Sequence, residues 1–203
     1  MPMRQIFAAL SLVLAAPALA SAAAPVTSGA YNDAMLFAYD AATGEVSGYF
    51  DMTRGETPSF SCIFYLHGKL SGASAAIETY FPETPKDDLI KGKLTLTDAK
   101  HFGIRLADEH GGCANVESFA DASQPATFDL AAAHPWTAVA VVRSDKAYFY
   151  DAPGAAAHRK GYVVKGDGVG VRAAKAGWAQ VDYVGGDAPV SGWLKSSDLY
   201  PTP

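Results

Sequence analysis

The chain has 203 residues, of which 49% are hydrophobic and 18% are charged, and its formal net charge is −5 at pH 7. This length is sufficient for one large or two small globular domains. The acidic balance argues against a nucleic-acid partner, because binding to a phosphate backbone requires a clustered basic surface.

The first segment has the pattern of a secretory signal peptide. Arg4 gives a positively charged start, and residues 6–16 form an apolar run that small residues follow. This run is too short to span a bilayer, which needs about 20 residues, and residues 18–20 (Ala-Leu-Ala) fit a small-x-small cleavage pattern. We therefore expect residues 1–24 to be a cleaved signal peptide and the protein to be periplasmic or secreted. No later stretch is long enough to cross a membrane, so the sequence predicts no integral membrane segment.

Residues 25–134 have the period-two pattern of an antiparallel β-domain. Apolar and polar residues alternate within short segments that turn residues separate. No long segment has helical periodicity with caps, although the Ala-rich residues 129–134 would accommodate one helical turn. We expect six to eight strands in an antiparallel barrel or sandwich, loosely similar in architecture to small calycin-type barrels. The predicted strands are residues 30–40, 45–52, 59–67, 75–81, 89–97 and 102–106.

Cys62 and Cys113 are the two cysteines of the chain. Phe60, Phe64 and Leu66 alternate in phase with Cys62, so the pattern directs these side chains toward the core. An even number of cysteines in an exported protein indicates a disulfide. We therefore predict a Cys62–Cys113 disulfide that holds a late loop of the β-domain to the interior of a strand.

Residues 135–203 form a second predicted domain with the same short β-type alternation and with Gly-rich turns. A closing 3₁₀ turn is expected over residues 196–200. The predicted strands are residues 136–142, 145–151, 161–165, 169–173, 178–184 and 191–195.

Four segments of this second domain resemble the bacterial SH3 (SH3b) domain. They are residues 147–153 (AYFYDAP), 160–167 (KGYVVKGD), 177–183 (GWAQVDY) and 191–200 (SGWLKSSDLY), and the two Gly-Trp pairs are their most specific feature. The resemblance implies a small five-stranded SH3-like barrel of the kind found in envelope proteins, where SH3b domains bind cell-wall peptides or other proteins or act as accessory modules. The expected fold is therefore all-β: an antiparallel β-barrel or sandwich with one disulfide, followed by a small SH3-like barrel.

The aromatic side chains of the second domain are the candidate ligand-binding residues. Aromatic rings give a large and rigid contact area, and a carboxylate at the rim, from Asp151 or Asp187, would hold a cationic or amide group of a peptide. Trp178 and Trp193 have an alternative role as core residues that close the small barrel. We predict ligand binding at Tyr148, Tyr150, Asp151, Tyr183 and Trp193.

A cysteine-nucleophile site is the enzymatic alternative. Residues 100–106 (KHFGIRL) resemble the histidine strand of the NlpC-type cell-wall cysteine peptidases, which often accompany SH3b domains. That resemblance would make Cys62 the nucleophile, His101 the base and His110 the orienting residue. Cys62 departs from the family, because it follows Ser61 within a strand pattern, whereas the family's cysteine opens a helix that activates the thiol.

The remaining motifs do not indicate a catalytic centre. No spacing of His and Cys residues matches a metal site, and no Gly-rich loop precedes a helix, so we predict neither a metal nor a cofactor. The sequence favours an exported, non-enzymatic protein that binds an envelope protein or a peptidoglycan peptide through its two β-domains. The alternatives are a cysteine peptidase acting on cell-wall peptides, an inhibitor or immunity protein against a cell-wall hydrolase, and a scaffolding protein.

Overall fold

A computed structural model describes residues 25–32, 34–57, 59–121, 123–186 and 188–201. The predicted signal peptide and Asp187 lie outside the described residues. Strands dominate the described part of the chain, with short 3₁₀ turns at Cys113–Asn115 and Ser196–Asp198, which confirms the all-β prediction. None of the helical segments in these ranges has the length and apolar character needed to cross a membrane.

The first eight strands close into an antiparallel barrel. β1 pairs with β2 on one side and with β8 on the other, so closure leaves this sheet without an open edge. The prediction of an antiparallel barrel of six to eight strands is confirmed. The strands are β1 (Gly29–Tyr31), β2 (Met35–Tyr39), β3 (Glu45–Arg54), β4 (Phe60–Ser71), β5 (Ser74–Tyr80), β6 (Ile90–Leu96), β7 (His101–Leu106) and β8 (Ala126–Ala133).

Two segments of the barrel differ from the sequence prediction. Residues 30–40 form two strands, because the chain reverses near Ala34, whose φ of 63° lies in the left-handed region. Residues 129–134, which could have held one helical turn, belong mostly to β8, and this strand pairs with both β1 and β7. These two pairings close the barrel and outweigh the local helix preference of the alanines.

Phenylalanine rings occupy the barrel interior. The ring centres of Phe102 and Phe37 are 4.6 Å apart. Those of Phe64 and Phe119 are 4.9 Å apart, and the two ring planes are perpendicular. Burial of each such side chain stabilises the fold by roughly 1.5–3 kcal/mol. Fully buried phenylalanines of this core are Phe37, Phe50, Phe64, Phe102, Phe119 and Phe128.

The predicted disulfide between Cys62 and Cys113 is confirmed, with a Cα–Cα distance of 4.4 Å and both residues buried. Gly112 permits the close approach of the Cys113 loop to β4. Its φ is 84°, and a Cβ at this position would collide with the carbonyl oxygen of Ser61. The loop is therefore held against β4 by the covalent bond and by a residue without a side chain.

The remaining strands form a smaller all-β domain. β9, β12, β13 and β14 make a four-stranded antiparallel sheet in the order β14-β13-β12-β9, and β10 and β11 make a two-stranded sheet. A bridge between Tyr150 and Trp193 joins the two sheets. The strands are β9 (Ala138–Val141), β10 (Ala147–Tyr148), β11 (Tyr162–Val163), β12 (Gly168–Lys175), β13 (Trp178–Tyr183) and β14 (Val190–Lys195).

The two domains share a hydrophobic cluster on the outer surface of the barrel. Tyr49, Tyr65 and Tyr80 point away from the barrel interior and are buried against β9. The Tyr65 hydroxyl donates to the Val139 carbonyl at 3.1 Å, and the Val139 amide donates to Ser47 Oγ at 2.9 Å. The second domain is thus docked on the barrel through both apolar contacts and hydrogen bonds.

Candidate binding surface

Strand alternation gives the second domain a core side and an outer side. On β13 and β14, Ala179, Val181 and Leu194 belong to the core, so Trp178 and Trp193 point to the outer side. Both tryptophans are half-buried. The core positions of these strands are therefore filled by small and aliphatic side chains, and the indole rings lie at the surface.

The same alternation applies to the segment that begins at β10. Phe149 is buried in the core, as its phase predicts, and its neighbours Tyr148 and Tyr150 are half-buried on the outer side. The Tyr150 amide donates to the Trp193 carbonyl at 2.8 Å, and the Trp193 amide donates back at 3.0 Å. The structure thus brings together Tyr148, Tyr150 and Trp193, three of the predicted ligand-binding residues.

Three further rings extend this surface. Trp178 lies 4.8 Å from Tyr150 with nearly perpendicular planes. His158 stacks on Tyr148 at 4.1 Å, and Tyr162 meets the same ring at 5.5 Å. Tyr162 is 45% exposed. We call the aromatic face the surface formed by these six side chains: Tyr148, Tyr150, His158, Tyr162, Trp178 and Trp193.

The predicted ligand-binding residues omitted His158, Tyr162 and Trp178. The sequence does contain a signal for Tyr162. Its neighbour Val163 is a buried residue of β11, and adjacent side chains of a strand point to opposite faces, so Tyr162 points outward. Tyr162 pairs in register with Tyr148. His158 lies in a loop without periodicity, so its stacking on Tyr148 was not accessible to pattern reasoning.

Lysine side chains flank the aromatic face. In the register of the sheet, Trp178 is opposite Lys175 on β12 and Lys195 on β14. The ammonium of Lys195 lies 5.6 Å from the centre of the Tyr150 ring, and that of Lys146 lies 4.7 Å from the centre of Tyr162. These contacts are in the range of cation–π interactions, and they give the surface a positive rim.

Asp151 already has a partner within the chain. Its carboxylate accepts a hydrogen bond from Arg159 Nε at 2.6 Å, and Arg159 Nη1 donates to the Ser191 carbonyl at 2.7 Å. A cationic group of a ligand would therefore have to compete with Arg159 for the Asp151 carboxylate. The ion pair and the Ser191 contact of Arg159 tie the Asp151 turn to the start of β14. Among the described residues, Lys146, Lys175 and Lys195 take part in no ion pair.

Tyr183 lies apart from the other predicted ligand-binding residues. Tyr183 is the last residue of β13 and Trp178 is the first. The length of this six-residue strand separates the two residues by roughly 17 Å. Burial raises the pKa of Tyr183, and the charge of Asp167 together with a hydrogen bond to it acts in the same direction. Tyr183 lines a cavity between the two domains and does not contribute to the aromatic face.

The three residues of the cysteine-nucleophile hypothesis occupy structural positions. Cys62 Sγ is bonded to Cys113, and no free cysteine occurs in the described ranges. His110 is buried, with Nε2 2.8 Å from Thr79 Oγ1 and Nδ1 2.8 Å from Asp88 Oδ2. In this disulfide-bonded form Cys62 offers no thiolate for a nucleophilic attack.

His101 lies on the surface of the barrel, where its Nδ1 is 2.7 Å from Asp98 Oδ1. Its other ring nitrogen is 3.7 Å from Asp129 on the paired strand β8. Its partners are thus two acidic side chains at the surface, and Cys62 is buried in the barrel core.

Metal ligation has no candidate among the described residues, since no group of three or more His, Cys, Asp or Glu side chains is arranged to hold an ion. Comparison with known proteins gave no further assignment: the chain matches no family model, and neither a curated protein nor a solved structure matches it.

Proposed function

We propose that this chain is an exported, non-enzymatic binding protein of the bacterial envelope, and that its C-terminal domain is an SH3b domain that captures a cell-wall peptide. The aromatic face is the observation that carries the proposal. It collects six rings, four from residues 148–162 and one each from β13 and β14, on the outer side of the second domain. Half-buried tyrosine and tryptophan side chains are the residue types that contribute most to binding energy at recognition surfaces.

The charge of the rim defines the class of peptide. Lys146, Lys175 and Lys195 surround the rings, and Arg159 neutralises Asp151. A partner with free carboxylates complements this charge pattern. The stem peptides of peptidoglycan combine free carboxylates with short aliphatic side chains, so they match both the rim and the rings.

The extended backbone of such a peptide suits the shape of the surface. The rings follow β10 and β14, which the Tyr150–Trp193 bridge joins, and they form a band along neighbouring strands. A peptide lying along this band stacks its aliphatic groups on the rings and places its carboxylates near the lysines. This arrangement needs no catalytic group.

Calorimetric titration of the purified protein with soluble muropeptides tests the proposal. Tyr148→Ala and Tyr162→Ala are each expected to weaken binding by roughly tenfold, because each removes a contact ring. Phe60→Ala is the matched control, since Phe60 is an aromatic residue of the barrel with 41% exposure. Its variant is expected to bind like the wild type.

One further variant and a modified peptide test the role of charge. Lys195→Gln removes a rim cation and is expected to weaken muropeptide binding and to reduce its dependence on salt concentration. Amidation of the peptide carboxylates is expected to have the same effect on the wild type. The proposal is overturned if the wild type binds no muropeptide, or if the tyrosine variants bind as tightly as Phe60→Ala.

A further inference from the structure

A cavity of about 330 Å³ lies between the barrel and the second domain, away from the aromatic face. On the barrel side it is bounded by β1, β2 and β3, and on the other side by the turn at Asp167 and by the end of β13 with the residues after it. Pockets for small organic ligands begin at about this size.

The walls of this cavity are mainly aromatic and aliphatic. Leu36 and Tyr49 come from the barrel, and Tyr183 and Val184 come from the second domain. The Tyr49 hydroxyl donates to the Gly166 carbonyl at 2.9 Å, which fixes its ring across the domain junction. Both domains therefore hold the walls in place, and the cavity depends on their docking.

Two carboxylates line the cavity, Asp51 and Asp167, and none of the lysines and arginines that the structure describes lines it with them. Partial burial raises the pKa of Asp51, a hydrogen bond with Tyr49 opposes this shift, and the negative charge of Asp167 adds to it. Asp167 Oδ2 accepts a hydrogen bond from the Val164 amide at 2.7 Å. Within the described ranges, no ion pair involves either carboxylate, so their charges repel each other without a neutralising side chain.

The lysine beside the cavity is already engaged. Lys165 lines an adjoining recess of about 260 Å³, which shares Tyr49, Asp51 and Asp167 with the cavity. Its ammonium is 2.8 Å from Glu83 Oε1. This pair links the second domain to the barrel and leaves the charge of the two cavity carboxylates uncompensated.

We propose that this interdomain cavity is a binding site for an organic ammonium ion, specifically a primary alkylammonium group with a short aliphatic chain. The ammonium sits between Asp51 and Asp167 and relieves their repulsion. Its chain contacts Leu36 and Val184, and the faces of Tyr49 and Tyr183 stabilise the cation further. This site favours a cation, in contrast to the lysine-rimmed aromatic face.

Binding of pentylammonium, followed by calorimetry and by amide chemical shifts in NMR, tests this site. Pentanol is the neutral control of the same length, and pentanoate is the anionic control. We expect saturable binding of pentylammonium alone, with shifts concentrated at Gly168, Tyr183, Val184 and Gly185. Shifts centred on Tyr148 and Tyr162 would overturn the proposal, because they would place the cation on the aromatic face.

Asp51→Asn is the principal variant, because its amide retains the shape and loses the charge. We expect it to weaken pentylammonium binding by about tenfold, while its unfolding midpoint does not fall below that of the wild type, because the substitution removes the repulsion between the two carboxylates. Asp167→Asn provides a second variant at the opposite wall with the same expectation for binding. Asp87→Asn, in an exposed turn of the barrel, is the charge-matched control and is expected to bind normally. Equal binding by wild type and both cavity variants, or equal binding of pentanol, overturns the assignment.

Discussion

Trp136 Nε1 donates a hydrogen bond to Asp182 Oδ2 at 2.8 Å, and both side chains are buried. Trp136 lies in the segment between the two domains, whereas Asp182 is on β13. The same carboxylate also accepts hydrogen bonds from Arg172 Nε at 2.8 Å and from Ser191 Oγ at 2.6 Å. Asp182 therefore connects the interdomain segment to β12 and to β14.

Asp182→Asn is expected to destabilise the protein by about 2 kcal/mol at neutral pH, the scale of hydrogen bonds to a charged group. Burial alone would raise the pKa of Asp182, but its hydrogen bonds to Ser191, Trp136 and Arg172, with the Arg172 charge, lower it below 3.8. A carboxyl whose pKa is lower in the folded state stabilises the fold above its unfolded pKa. This contribution is lost as the pH falls through the folded pKa.

Urea denaturation from about pH 7 down to about pH 2 measures this effect. The difference in unfolding free energy between wild type and Asp182→Asn is expected to be constant above about pH 5 and to shrink below pH 3.8. A difference that stays unchanged at the lowest pH would show that the ionised carboxylate is not the source of the stability.

Gly170→Ala is expected to destabilise the fold by about 1–3 kcal/mol, the usual cost of overpacking. A Cβ on Gly170 would fall on the indole ring of Trp136, which is 2% exposed and stacks on His134 at 4.5 Å. Thermal unfolding followed by tryptophan fluorescence measures the change. Gly111→Ala is the control, since a Cβ there meets no atom within 4 Å, and a similar loss in both variants would contradict the steric explanation.

Removal of the Cys62–Cys113 disulfide is expected to cost about 4 kcal/mol in the chain-entropy model, because the bond closes a loop with a sequence separation of 51 residues. The double variant Cys62→Ala/Cys113→Ala, compared with the wild type in guanidinium denaturation, measures this loss. Reduction of the wild type by dithiothreitol is expected to give a similar midpoint, whereas the double variant is expected to be insensitive to the reductant. A double variant as stable as the oxidised wild type would contradict the prediction.

The sequence predicted the barrel well because alternation specifies which side chains point inward. Cys62, Phe64 and Leu66 are buried at the positions that the period-two pattern assigned to the core. Phe60 shares their phase but is 41% exposed, because it occupies the first position of β4, at the end of the strand. A periodic pattern predicts the face of the sheet to which a side chain points, and it does not predict how fully that side chain is buried.

The alternation pattern could not predict how the two domains dock. Tyr49 and Tyr65 pair in register on the outer surface of the barrel, which an isolated barrel would expose to solvent. Their burial depends on contact with β9, which is distant in the sequence, and such a contact does not produce a periodic pattern. The cavity that contains Asp51 and Tyr183 also arises from this docking, so the sequence placed Tyr183 with the wrong neighbours.

Ala176→Asn is expected to stabilise the protein by about 0.5–1 kcal/mol. Ala176 and Gly177 form the two-residue loop between β12 and β13, and both have positive φ values, 47° and 82°. Such a loop favours Asn-Gly, since the left-handed conformation costs an alanine roughly 1–2 kcal/mol. A rise in melting temperature of about 1–4 °C is expected for a chain of this size. Ala174→Asn, at an exposed position within β12, is the control and is expected to bring no gain. An unchanged melting temperature for Ala176→Asn would mean that the strain at this turn is relieved elsewhere in the hairpin.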